Sequence, residues 1–402
     1  MSVSTSRTDR WIGPVIVAVS VPIAGIIGLV VFLTATSTPI HVNAVDLASV
    51  TGTAPSPQWT AAAEQSRRMI REQLVQQDLP GLSVAVGIGG DIVWTEGFGW
   101  ARIESKLPVS PDMQFRIGHA SKALTSAAVG LLMEQGRLDL DDEIQKYVPA
   151  FPVKQWPVTL RQLMGHVAGV RHYRDTEWGD KPSGHCELAS EGLQSFAGDP
   201  LLFEPQTRSQ YSTYGWILVS AAVEAAAGEP FFTFMRRQIF TPLGMADTTP
   251  HAGTEAAANQ VTSYYRDNFG RELAPAVDFS CFAGAGGFLS TSPDLVRFGM
   301  AISGAKLLQP ATVRMLQTRQ QLASGKETDF GLGWTVGVDQ LSGETTRVMS
   351  TASRMLTGAS TSLLIFPERD IVVAVTSNIS FADTRSIALT TAGVFAAARR
   401  AK

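Results

Sequence analysis

The sequence predicts an α+β fold, an antiparallel sheet flanked by helices, and three observations predict it. Near the start, residues 82–90 (LSVAVGIGG) and 91–101 (DIVWTEGFGWA) are two apolar, β-branched runs that meet at Gly89-Gly90-Asp91, which reads as a hairpin. Near the end, residues 360–366 (STSLLIF) and 371–378 (IVVAVTSN) give two more strands, joined by Pro367-Glu368-Arg369-Asp370 and followed by a helix over 387–400. Between them the chain is rich in helix-period stretches. Early strands, a helical middle and late strands with a terminal helix imply one sheet closed by both chain ends.

The elements follow in order. Trp11 to Ala35 is 25 residues without a charge, about 37 Å as a helix, enough to cross a bilayer with some tilt. Arg7 and Arg10 precede it and the next arginine or lysine is Arg67, so the positive-inside rule puts residues 1–10 in the cytoplasm and the remainder outside. A cleaved signal peptide is the rival reading, but its apolar region is shorter, about 7–15 residues. We therefore expect a transmembrane anchor over 11–35, a linker over 36–57 rich in Thr, Ser, Pro and Ala, and one domain over 58–400 in the periplasm or extracellular space.

Within the domain, Trp59 to Gln77 has helical spacing through Ala63, Met69, Ile70 and Leu74, and Pro80-Gly81 stops it. Residues 138–148 read as a short helical segment, and Thr159 to Val170 as a short helix ending in a glycine turn. Residues 171–198 are polar and irregular, the composition of a long surface excursion. Helices are expected after Tyr211, where Ile217, Leu218, Ala221, Ala222 and Ala225 form a small-residue face, and over 230–239. Ser292, followed by Pro293 and Asp294, suits an N-cap; a further helix is expected over 310–317, and FGLGWTVGV around Trp334 reads as a strand.

Composition excludes some functions. With 45% hydrophobic and 17% charged residues the chain is not disordered, and a net charge of −3 without a basic run gives no electrostatic footprint for nucleic acid. Cys186 and Cys281 are the two cysteines, in the exported part, where either a disulfide or two separate buried thiols is open. No C-x-x-C spacing and no carboxylate or second histidine at ligand spacing supports a metal around His119, His166 and His172, and no cofactor is expected.

The chemistry centres on residues 116–138, RIGHASKALTSAAVGLLMEQGRL, a turn feeding an apolar-faced helix. His119 and Lys122 stand three residues apart, on one face of its first turn, where free N–H groups and the positive helix end point forward. Ser121 lies about 200° around the helix from His119 and faces away.

These words, with GVRHY at 169–173, YSTYGW at 211–216 and AGGFLSTSPDLVRFG at 285–299, resemble the serine beta-lactamase and penicillin-binding protein superfamily over roughly residues 58–397. That superfamily includes class C beta-lactamases, D-alanyl-D-alanine carboxypeptidases, esterases and the mitochondrial beta-lactamase-like branch, to which the match is strongest. The resemblance implies a sheet-containing lobe, a helical lobe and a site between them. It places Lys122 on the lysine of the S-x-x-K motif and Tyr211 on the tyrosine of the Y-x-N motif, the two general-base positions. Ser212 and Thr213, in the same motif, become candidate binding residues. His119 falls on the nucleophilic serine. The imidazole is expected to be neutral beside Lys122 and the helix end, and to act as a plug rather than as a nucleophile.

The third family motif, H/K-S/T-G, should fall within residues 350–355, which read Ser-Thr-Ala-Ser-Arg-Met, so neither the cation nor the glycine is present and Arg354 is the nearest positive charge. The word H-x-S-G reads His166-Val167-Ala168-Gly169. In the family the regions of Cys186 and Cys281 both approach the cleft, which implies a disulfide pinning the loop there. The resulting expectation is a membrane-anchored pseudoenzyme that binds a peptide or cell-wall-type ligand or a protein partner; the alternative is a peptidase, esterase or beta-lactamase working through Lys122 and Tyr211.

Overall fold

The computed structural model describes residues 38–174, 184–253, 259–267, 270–355 and 357–400. The expected cytoplasmic tail 1–10 and anchor 11–35 lie outside the described residues, and so does the Arg354 side chain. Among the described residues no single helix is long and apolar enough to cross a membrane.

The chain begins with a short strand β1 (Ser49–Thr51), helix α1 (Thr60–Gln76) and the hairpin β2 (Gly81–Ile88) and β3 (Asp91–Arg102). Two-residue strands β4 (Leu107–Pro108) and β5 (Phe115–Arg116) lead to the central helix α2 (Ser121–Glu134), and α3 (Leu160–Met164) follows. The helical middle continues with α4 (Tyr214–Ala227) and α5 (Phe231–Met235), which runs on into a wider turn over Arg236–Phe240. Short strands β6 (Thr249–Pro250), β7 (Tyr264–Asp267), β8 (Gly270–Leu273) and β9 (Phe288–Ser290) precede α6 (Ser292–Ser303) and α7 (Pro310–Leu316). The chain closes with β10 (Thr335–Leu341), β11 (Glu344–Met355), β12 (Ala359–Phe366), β13 (Ile371–Ser377) and α8 (Thr384–Arg400).

The main sheet runs β1-β3-β2-β13-β12-β11-β10, antiparallel throughout, so the first hairpin pairs directly with the last strand, Ala85 opposite Ala374. Strands β2, β12 and β13 are buried along their whole length. Such strands need cover on both faces, which is why they read as continuous apolar runs. On one face Ile70, Leu74, Ile387 and Phe395 of α1 and α8 pack on Val84, Val86 and Val373. On the other, Leu295, Val296 and Phe298 of α6 meet Ile365 and Val372 and continue into the helical lobe built on α2 and α4. The α+β architecture expected from the sequence is the one observed.

Several local readings are corrected. Residues 138–148 form only a single tight turn over Ile144–Lys146, because side chains capture the backbone: Asp141 N–H donates to Asp139 Oδ1 at 2.9 Å, and Asp139 N–H to Tyr147 Oη at 2.8 Å. The cap of α6 is Thr291, whose side chain accepts from Asp294 N–H at 3.2 Å; Ser292 is already helical and its hydroxyl donates to Ser83 O. The strand expected around Trp334 starts only at Thr335, since Gly331 N–H closes a turn on Trp334 O. The stretch 36–57 is not wholly a linker: Ser49 pairs with Phe98 in β1 at the sheet edge. Finally, β11 carries Thr, Ser and Arg where an apolar run would announce a strand, and pairing on both sides makes it one.

Candidate functional site

Helix α2 is buried on nearly every side, its polar Ser121, Thr125 and Ser126 included, and it meets the cleft at its first turn. Gly118 turns the chain into that position with φ +47°, a value open to glycine. From there Lys122 Nζ donates to Tyr211 Oη at 2.8 Å, to Ala285 O at 3.2 Å and to Thr213 Oγ1 at 3.4 Å. The segment bearing Ala285 comes this close because residue 284 is glycine: a Cβ there would stand 2.0 Å from Thr125 Oγ1. Lys122 is 3% exposed, and this burial holds its amine well below the usual lysine range. The site therefore contains an amine of depressed pKa hydrogen-bonded to a phenol, a base-type pair. Burial drives the Tyr211 phenol the other way, well above its ordinary value, so it stays protonated.

Two histidines hold the Tyr211 turn. Ser212 N–H donates to His166 Nδ1 at 3.1 Å, Thr213 N–H to His172 Nδ1 at 3.1 Å, and Gln210 N–H to His166 O at 2.9 Å. An accepting ring nitrogen is unprotonated, in keeping with the burial that depresses the His166 pKa. His166 also takes φ +59°, a left-handed value that costs a residue with a Cβ roughly 1–2 kcal/mol, and its ring lies 4.4 Å from that of Tyr211. The sequence reading assigned neither histidine this positioning task. A signal was available in GVRHY and its neighbours, but only the folded chain brings residues 166 and 172 against 212 and 213.

His119 stands at the mouth, half-buried, its Nε2 3.2 Å from Thr213 Oγ1 and its ring 5.6 Å from that of Tyr211. Burial depresses its pKa first and Lys122 second, so the imidazole is neutral. The expected sign holds, with burial rather than the helix end as the leading cause. Its backbone N–H, the group a nucleophile at this position would offer to an oxyanion, donates instead to Ser353 Oγ at 3.1 Å. Across the cleft Ser350, Thr351 and Ala352 of β11 form the opposite wall, the region where the third motif was expected. The space enclosed with His119, Lys122, Tyr211 and Phe330 is about 40 Å³. About 10–15 Å³ of such space holds one water and small-molecule pockets run from about 300 Å³ upward, so this one has room for a few waters.

Other expected residues fall elsewhere. Ser212 does not face the cleft: its hydroxyl donates to Arg171 O at 2.8 Å and accepts from Gly215 N–H at 3.0 Å, capping the start of α4, so its proposed binding role is withdrawn. Ser121 is fully buried with its hydroxyl unpartnered, away from Lys122. Cys186 and Cys281 form a disulfide with Cα atoms 4.9 Å apart, tying the segment after residue 184 to the turn over Ser280–Ala285 whose last carbonyl meets Lys122. Among the described residues no group of three or more His, Cys, Asp or Glu is arranged to hold a metal.

Comparison with known proteins bears on the family and the fold. Residues 66–397 match the family model described as Beta-lactamase. The serine beta-lactamase-like protein LACTB, mitochondrial, of Mus musculus is 28% identical over 439 residues, covering 82% of this chain and 80% of that protein. Among solved structures, the octameric penicillin-binding protein homologue from Pyrococcus abyssi superposes with a TM-score of 0.70 at 23% identity, over 83% of this chain and 77% of that one. The D-amino acid amidase from Ochrobactrum anthropi gives 0.69 at 20% identity, over 85% of this chain and all of that one, 100%. A fold of this topology, a Lys–Tyr pair at the start of its central helix and a family match over most of its length show that the chain belongs to the beta-lactamase family, with the penicillin-binding-protein-like fold.

Proposed function

We propose that this chain is a membrane-anchored, extracytoplasmic pseudoenzyme. Residues 11–35 hold it in the membrane, the domain lies in the periplasm or extracellular space, and the former cleft or the surface around it binds a peptide or cell-wall-type ligand or a protein partner. The observation that carries the reading is the imidazole of His119 where the family's chemistry needs a hydroxyl. Three features support it. The N–H of residue 119 is occupied by Ser353 Oγ. The wall at Ser350-Thr351-Ala352 carries no cation, and the remaining space is about 40 Å³. Lys122 and Tyr211 survive as a 2.8 Å pair, which favours as second reading a hydrolase working through them.

The two readings separate on one gel. The full chain is incubated with a fluorescent penicillin, with a penicillin-reactive serine hydrolase in the neighbouring lane, and assayed in parallel for turnover of a chromogenic ester. The expected result is no labelled band and no turnover above buffer. Labelling of the wild-type chain that Lys122→Ala abolishes would overturn the pseudoenzyme reading in favour of the hydrolase.

A further inference from the structure

Of the large apolar side chains that stand exposed among the described residues, five gather at one end of the main sheet: Val42 at 89%, Val45 at 77%, Leu107 at 39%, Leu273 at 59% and Phe381 at 53%. This is the end where β2 begins and where β3 and β13 finish. Two hydrogen-bonded hubs bring four of them, Val42, Leu107, Leu273 and Phe381, together. Asp78 accepts from Ile40 N–H at 2.7 Å and from both Arg266 and Arg271 at 3.0 Å, which ties the entering chain to the β7–β8 hairpin. Tyr264 Oη accepts from Ile103 N–H at 2.9 Å, its backbone bridges to Ile379, and its carbonyl accepts from Ser380 N–H at 3.1 Å. Val42 follows His41, whose ring lies 3.1 Å from Pro80 O; Leu107 pairs with Arg102, Leu273 pairs with Tyr264, and Phe381 follows Ser380. Phe381 also has φ +62°, a strained value for an aromatic residue, so the fold spends energy to hold this ring outward.

We propose that this end of the sheet lies against the lipid surface, with Val42, Leu273 and Phe381 inserted at the headgroup boundary; the inference rests on the reading of residues 11–35 as the anchor. Chain length argues for the bilayer as the occupant. From Ala35, the last residue assigned to the anchor, to Ile40, whose N–H is fixed on Asp78, there are five residue steps, at most about 18 Å of extended chain. The domain cannot swing on a long tether, and the exposed apolar cluster sits beside the point where the tether is clamped. Arg102 and Lys106 stand exposed there with Asp46 and Glu104, so the signs are mixed and insertion is apolar rather than an attraction to anionic lipid.

The test uses the full chain in phosphatidylcholine vesicles. Because both native cysteines are bonded to each other, Leu273→Cys, Phe381→Cys and, as control, Val338→Cys can each be labelled without reductant with an environment-sensitive fluorophore. Val338 is 68% exposed on β10, the opposite edge of the sheet from β1. Blue-shifted emission and severalfold stronger quenching by a lipid-borne quencher at 273 and 381 than at 338, in low and high salt alike, is expected. Equal, water-like signals at all three positions, with the chain retained in the vesicle pellet through an alkaline carbonate wash, would overturn the inference and leave the anchor standing. Loss of the chain to the carbonate supernatant would overturn both.

Discussion

The protonation state of Lys122 can be read from the pH dependence of stability. Its amine is buried, its partners are two hydroxyls and a carbonyl, and burial holds its pKa well below the lysine value of 10.5. In the unfolded chain the same lysine keeps its proton up to that value. Between the folded and unfolded pKa, unfolding therefore takes up one proton, and the native state gains stability as pH rises, by about 1.4 kcal/mol per pH unit. Lys122→Met removes the titrating group from both states. From about pH 7.5 to about pH 9 the other titrating groups are common to wild type and variant and cancel, so the stability difference, wild type minus variant, should grow in favour of the wild type, by up to about 2 kcal/mol. Denaturant unfolding of the full chain in detergent, followed by tryptophan fluorescence at several pH values, measures it. A difference that stays constant over the window would refute the reasoning: Lys122 would then keep its proton in the fold, and the site would hold a cation.

Two further outcomes follow from the same geometry. The Cys186–Cys281 bond closes a loop with a sequence separation of 95, for which chain entropy gives about 4.7 kcal/mol, so Cys186→Ser with Cys281→Ser should lose about 2–5 kcal/mol, while alkylation of the untreated chain without reductant should leave its intact mass unchanged. His119→Ser removes the imidazole but leaves the residue-119 N–H on Ser353 Oγ, so by itself it should stay near background in penicillin labelling. Adding Ser353→Gly should raise labelling by up to about 10²-fold, the effect of one oxyanion donor, and efficient labelling by the single variant would show that the far wall still works.

Much of the fold was legible because its signals are local. The β2–β3 hairpin declares itself through a Gly-Gly-Asp turn between β-branched runs, and β12 and β13 through apolar runs that only a doubly covered sheet can bury. The Lys122–Tyr211 pair was legible through family words around it, and so was the position of His119 where the family carries its serine. Readings failed where a side chain chose a partner distant in sequence or captured the backbone: Asp139 against residues 138–148, Thr291 instead of Ser292 as cap, and Ser212 turned onto Arg171 O.

The sequence by itself determined which elements form and which catalytic-type groups the chain carries, since propensity, periodicity and residue identity are properties of short stretches. Only the tertiary structure decided what those groups can do. Ser353 reaches the N–H of residue 119 across 234 positions, His166 and His172 hold the Tyr211 turn through backbone N–H groups, and burial depresses the Lys122 pKa. Hydrogen bonds of this kind and the desolvation of an amine depend on which distant surfaces close over one another, and that is a property of packing that no short stretch of residues contains.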